Sequence, residues 1–281
     1  MTLLSHSRSV TIASKVSSTI TDSLSVVARG GGELHFDDLR DLPRAALSLP
    51  RVIQLVLSVN VLFFVAWQIC PAVMMLHAAT GEINRREGRY WSLLLSSFSH
   101  RGFAHFLMNI LSFLSLAPSV LESLGEKAFS LVIGIACIAS GVFPVLYTVL
   151  YCALQTNYQK RLRQQHALNI GFSGVNYALI YLFATLHPNA SMIIMTIKTN
   201  AKATVKGLLV FDLCGLLLST LFDVSPISHS GHLGGLVGGW VARLILLNTS
   251  AGRTWLGPYR KLLLSRNILW KDWRDILNIR K

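Results

Sequence analysis

The chain has 281 residues, of which 52% are hydrophobic and only 14% charged, where a soluble domain carries about 25% charge. Mean hydropathy is +0.50 and the charge deficit is concentrated in long apolar segments, so the solvent for much of the chain is lipid. The net charge of +13 lies between and beyond those segments and leaves no domain on which to build a nucleic-acid surface; membrane topology and anionic headgroups explain it instead.

Residues 1–51 form a polar tail. From Met1 to Thr21 there are Arg8, Lys15, many Ser and Thr, and no acid before Asp22, a composition shared by organellar transit peptides and disordered cytosolic tails. Gly30-Gly31-Gly32 marks a flexible break, and the mixed charges of 36–51 suit a short surface helix. Next come six apolar segments near the roughly 20 residues a membrane crossing needs: 52–76, 104–121, 128–150 with Pro144 as a kink, 167–186, 205–222 and 229–247. The expected fold class is therefore all-α, a polytopic bundle of six transmembrane helices over 52–248. Residues 249–281 make a basic C-terminal tail. The 77–103 connection, with Trp91, Phe98 and Phe103, reads as a loop lying partly in the interface, and 155–166 as a solvated basic loop.

Six crossings put both termini on one side. That side holds the greater share of Lys and Arg, which makes it the cytoplasmic or matrix-like one. Arg243 lies near that end of the sixth segment, where its long side chain could snorkel. Cys70, Cys137, Cys152 and Cys214 lie in or at the edges of apolar segments without a CxxC pair and read as small packing residues.

Polar side chains within the bilayer are costly and point to function. The second segment opens with His105 and Asn109, four apart on one helical face. The fourth holds Gly171-Phe172-Ser173-Gly174 near its start, and the sixth opens with Gly231-His232 followed by Gly234, Gly235, Gly238 and Gly239. Segments two, four and six run in the same direction, so these groups fall in one shallow layer. With its start at 167, the fourth helix would carry Ser173 roughly 9 Å inside. A hydroxyl and an imidazole meeting there suit nucleophile and general base. No acid is expected at that depth, hence a dyad; His105, Asn109 and the Ser173 backbone N–H could serve an oxyanion. Gly235 and Gly239 form a small-xxx-small face, and Gly171 and Gly174 serve the same close approach on the fourth helix.

These patterns resemble the rhomboid family of intramembrane serine proteases over about 52–248: His105-xxx-Asn109 preceded by Phe98-Ser-His100, Gly171-Phe-Ser173-Gly174, Tyr177 four residues after the serine, and His232-xx-Gly235-xxx-Gly239. Two positions depart from it, Gly231 where Ala is common and Arg89-Tyr90-Trp91 where a Trp-Arg pair is. The resemblance implies a Ser173–His232 dyad cleaving transmembrane segments of single-span membrane proteins. It also implies an oxyanion site from His105, Asn109 and the Ser173 backbone, Tyr177 beside the histidine, and no metal or cofactor. The stretch from Leu186-His187-Pro188 through Phe211-Asp212-Leu213 to Gly234-Gly235 looks most like mitochondrial members, which favours the mitochondrial inner membrane over another endomembrane. A catalytically inactive relative that binds client helices is the alternative.

The remaining polar residues have plainer readings. His229 and His232 are spaced as a metal pair but lack a third ligand in the sequence; His229 is expected at the membrane surface, and His77 and His100 are expected to be solvated. Asp212 falls inside the fifth segment, away from the polar layer, as a helix-linking partner or a residue of unknown function.

Overall fold

The computed structural model describes residues 49–194, 197–222, 227–257 and 263; the expectations for residues 1–48 and most of the basic tail lie outside them. The chain divides into two units, Met1–Val59 and Asn60–Lys281. In the first, Pro50 starts helix α1 (Arg51–Ile69): its carbonyl accepts from the Ile53 and Gln54 amides, and the Gln54 side chain donates to the Leu49 carbonyl.

Everything else described belongs to the second unit. In chain order it holds α2 (Pro71–His77), α3 (Glu82–Arg86), α4 (Ser92–Leu95), a 3-10 turn at Ser96–Phe98, and α5 (Phe103–Leu154). After these come α6 (Tyr158–Gln165), α7 (Ser173–Leu186), strands β1 (Ser191–Ile194) and β2 (Ile197–Asn200), α8 (Ala201–Phe222), α9 (His229–Asn248) and α10 (Ser250–Leu256). The fold is a mostly helical membrane bundle. By length and composition, four helices among the described residues can cross a membrane: α1, α5, α8 and α9.

The 52 residues of α5 are two helices, not one. Gly125 sits at φ 75° and ψ 163°, a region open only to glycine, and breaks the helix. A straight helix would hold Phe113 and Phe129 about 24 Å apart, yet their ring centroids lie 6.5 Å apart. The chain therefore doubles back, and its two arms match the second and third expected segments. The fourth expected segment shortens. Residues before Ser173 are not helical: Asn169 pairs with Thr80 as an antiparallel bridge, and Gly171, at φ 126°, donates its amide to the Ser96 carbonyl. Helix α7 keeps 14 residues, about 21 Å, less than the roughly 30 Å hydrocarbon core. A two-stranded hairpin, Ser191 paired with Asn200 through Ile194 with Ile197, fills the connection before α8.

Helix α9 is the centre of the bundle, packed chiefly against α5 and α7. Helix α8 is its opposite: Val210, Leu213, Leu217, Leu218 and Leu221 are exposed, as suits a helix whose outer face meets acyl chains. Arg243 does not snorkel. It is buried and donates to the Leu263 carbonyl through Nε and Nη2.

The 77–103 connection is more ordered than a surface loop. Glu82 is 2% exposed; Arg85 grips both its oxygens at 2.7 Å, and Arg86 adds a contact at 2.8 Å. Asn84 donates to the Ala79 carbonyl at 2.6 Å and accepts from Arg89. On the other side Thr80 donates to the Gly141 carbonyl and Ser97 pairs with Ser140, which fixes this segment to the second arm of α5.

Two outcomes follow from these contacts. Gly125→Ala forces a side chain into a glycine-only conformation and lowers stability by about 1–3 kcal/mol, read as a fall in Tm in detergent. The hydrogen bond from Arg85, helped by Arg86, holds the Glu82 carboxyl below the usual 4.5. Its contribution is therefore present above that pH and is lost as acid protonates the folded state. Glu82→Gln lowers Tm at neutral pH, and the gap to wild type closes below the folded-state value.

Candidate active site

The sequence brings a hydroxyl into the bundle by ending an extended segment in a helix. Gly171 and Phe172 lead into α7, whose first residue is Ser173. This corrects the expected depth: Ser173 stands at the helix N-terminus and not two turns inside. The first N–H groups of a helix have no partner within it, so the Ser173 amide remains a donor beside its own hydroxyl, at the positive end of the helix dipole. A side chain at 171 would fall 2.7 Å from the His105 ring and would also strain the left-handed backbone there.

The imidazole reaches that hydroxyl because two helices nearly touch. A Cβ on Gly235 would collide with the Gly174 backbone, and one on Gly239 would stand 3.0 Å from Ala178. A Cβ on Gly174 would in turn collide with the Ser140 side chain and stand 3.1 Å from the Gly231 carbonyl. With α7 and α9 so close, His232 Nε2 lies 2.9 Å from Ser173 Oγ. The Tyr177 ring stacks on His232 with centroids 4.3 Å apart and planes 20° from parallel. The residues selected as nucleophile, base and supporting tyrosine are therefore together.

His105 and Asn109 open the first arm of α5 and face the same cavity, about 820 Å³ in volume, as Ser173, Tyr177 and His232. The Asn109 amide donates one hydrogen to the His105 carbonyl at 2.9 Å and has a second. A residue that pattern reading missed holds it there: Asn176, 4% exposed, donates to the Asn109 backbone carbonyl at 3.0 Å and to Oδ1 at 3.3 Å. Three residues after Ser173, Asn176 falls on the same helical face, and a buried amide in a membrane helix was the available signal.

Two expectations, for His100 and Asp212, are corrected. His100 is fully buried, and its Nε2 accepts the Phe172 amide at 3.2 Å, bracing the residue just before the serine. Burial, with His105 beside it, pushes this imidazole down to about 3, so it stays neutral and can accept. His229 is 5% exposed, and Asp212 is 0% exposed. Asp212 Oδ1 lies 2.7 Å from His229 Nδ1 and 2.9 Å from His232 Nδ1. An acid thus does lie beside the imidazole. The depth was misjudged because α8 begins at Ala201, before the expected start at 205, and its position against the start of α9 is not written in the local sequence. Asp212 also supplies the third ligand type that the sequence reading lacked beside His229 and His232, the donor atoms of the three lying within 4.8 Å of one another. His77 is exposed, as expected, and stacks on Trp91.

The Rhomboid domain family matches residues 87–249, more than half of the chain. The rhomboid protease GluP of Bacillus subtilis is 28% identical over 187 residues, covering 65% of this chain and 30% of that protein. An uncharacterized mitochondrial rhomboid protein of Schizosaccharomyces pombe is 39% identical over 71 residues, 25% of this chain and 17% of the relative. The chain thus spans a third or less of the length of these curated relatives.

The helix contact gives a direct test. Gly235→Val must separate α7 from α9, and a misplacement near 1 Å costs on the order of 10²-fold. Fluorophosphonate labelling of Ser173 is expected to fall by that order. Gly207→Ala, a helical position with open space around it, labels as wild type.

Proposed function

Because the chain belongs to the rhomboid family, we propose that it is an intramembrane serine endopeptidase that cleaves transmembrane segments of single-span membrane proteins through Ser173 and His232. The observation that carries this reading is the 2.9 Å contact between Ser173 Oγ and His232 Nε2 at the edge of a cavity. The hydroxyl attacks a substrate carbonyl carbon while its proton passes to Nε2; the carbonyl oxygen becomes an oxyanion. The imidazolium then protonates the leaving amine, the peptide bond breaks, and an acyl ester on Ser173 remains. Water enters through the cavity, gives its proton to Nε2 and adds to the ester; collapse releases the acid and returns the proton to Oγ.

The oxyanion needs donors that exist before charge develops. The Ser173 amide at the start of α7, the free Asn109 hydrogen and a His105 ring N–H converge on the cavity. Each such donor is worth roughly 3–4 kcal/mol in soluble hydrolases. Tyr177, stacked on His232, restricts rotation of the ring. No step calls for a metal or cofactor.

The topology proposed with this activity has six crossings: α1, the two arms of α5, α7, α8 and α9. The short α7 leaves its N-terminus below the bilayer face, so a substrate helix must unwind near that face to present an extended bond; segments with small or helix-breaking residues suit it. The mitochondrial inner membrane is the proposed location, supported by the N-terminal composition and by the mitochondrial relative.

Reconstituted full-length chain is expected to cleave a single-span reporter carrying such a segment, and Ser173→Ala to abolish both cleavage and fluorophosphonate labelling. Equal cleavage by the two proteins removes Ser173 as nucleophile. A folded wild type that neither labels nor cleaves favours the inactive, client-binding form of the fold.

A further inference from the structure

Rhomboid-type chemistry as assigned above needs only the serine and the histidine, yet a carboxylate stands behind the histidine. Asp212 comes from α8, the least buried of the four long apolar helices, and is nevertheless the most buried acid described. A buried ionised carboxylate is costly unless its oxygens are satisfied. Here a single oxygen takes two imidazole nitrogens, His229 Nδ1 at 2.7 Å and His232 Nδ1 at 2.9 Å. The site is built for this. Gly215, one turn along α8 from Asp212, has no side chain because the His229 ring occupies that space. Phe211, on the same helix, packs edge-on against His229. Ser228 caps the start of α9 by accepting the Gly231 amide at 3.3 Å, which sets the turn carrying both histidines.

We infer that Asp212 is a positioning residue of the Ser173–His232 pair, holding His232 in the tautomer that leaves Nε2 free, and that it is shared with His229. An ionised carboxylate only accepts hydrogen bonds, so the Nδ1 facing it must carry the proton. Nε2 is then the lone-pair nitrogen, and it is the nitrogen that faces Ser173 Oγ. When Nε2 takes the serine proton, the positive ring lies against a negative oxygen rather than in an apolar bundle. His229 draws on the same oxygen and tempers that effect, while tying α8 to α9 independently of catalysis. The inference rests on the Ser173–His232 reading.

Full-length protein in proteoliposomes, assayed for reporter cleavage across about pH 5 to 8, tests it. Other ionisable groups lining the cavity are His105, Tyr147, Arg163, Tyr177 and His229, with His100 packed behind His105; they remain unchanged in Asp212→Asn. That variant is expected to lose kcat on the order of 10²-fold or more with KM unchanged, and to move the acid limb of kcat/KM to lower pH. Asp212→Glu, which keeps the charge, recovers part of kcat and the limb. His229→Phe keeps a ring in the space beside Gly215 and removes the competing donor, so the limb moves the other way, to higher pH; this variant carries the test alone if Asp212→Asn does not fold. A wild-type kcat and limb in Asp212→Asn, or an unmoved limb in folded His229→Phe, overturns the inference while loss of activity in Ser173→Ala keeps the dyad. Cleavage that survives Ser173→Ala overturns the underlying reading instead.

Discussion

The near-contact of α7 and α9 governs the rest of the molecule. In lipid, apolar surface has no water to escape, so helices associate through close packing and a few hydrogen bonds. Glycine at 174, 235 and 239 removes the side chains that would hold the two backbones apart. The resulting separation is the one at which a serine on one helix and a histidine on the other can share a proton. Larger residues would leave a stable hydrophobic bundle whose polar groups never meet.

Around that contact, the polar groups form a chain of braces running through the bundle. His100 fixes the backbone at Phe172, Asn176 fixes Asn109, Tyr177 covers one face of His232, and Asp212 occupies its far nitrogen. Each would be a liability alone in a low-dielectric interior. Joined, they orient the groups that face the cavity.

Much of this was legible in the residues. Long uncharged stretches gave the membrane setting, and recurrence of His105, Asn109, Ser173 and His232 at the starts of alternate segments gave the shared layer. The glycine spacing gave the close helix pair. What stayed hidden depends on where helices begin and how they lean. Apolar character continues through 167–172, so hydropathy extended the fourth helix back to 167, although Gly171 and the pairing of Asn169 with Thr80 hold that stretch extended. Asp212 was assigned to the wrong depth for a similar reason: the residue sits mid-helix by count, and only the position of α8 against the start of α9 brings it to His232. His100 looked solvated because it flanks a helix end, and burial there comes from distant segments folding over it. The break at Gly125 fell in the gap between expected segments, and nothing in the sequence hinted that Glu82, gripped by Arg85, was buried.

The sharp return at Gly125 also bears on assembly. Its two arms are neighbours in sequence, so the contact of Phe113 with Phe129 closes a short loop and loses little chain entropy. During synthesis this hairpin, which carries His105, Asn109 and the Ser140 ledge, is complete before α7 emerges. The scaffold can therefore precede the nucleophile, and the hydroxyl becomes reactive only when α9, the last long helix among the described residues, docks its imidazole. A partly translated chain has no means of cutting its neighbours.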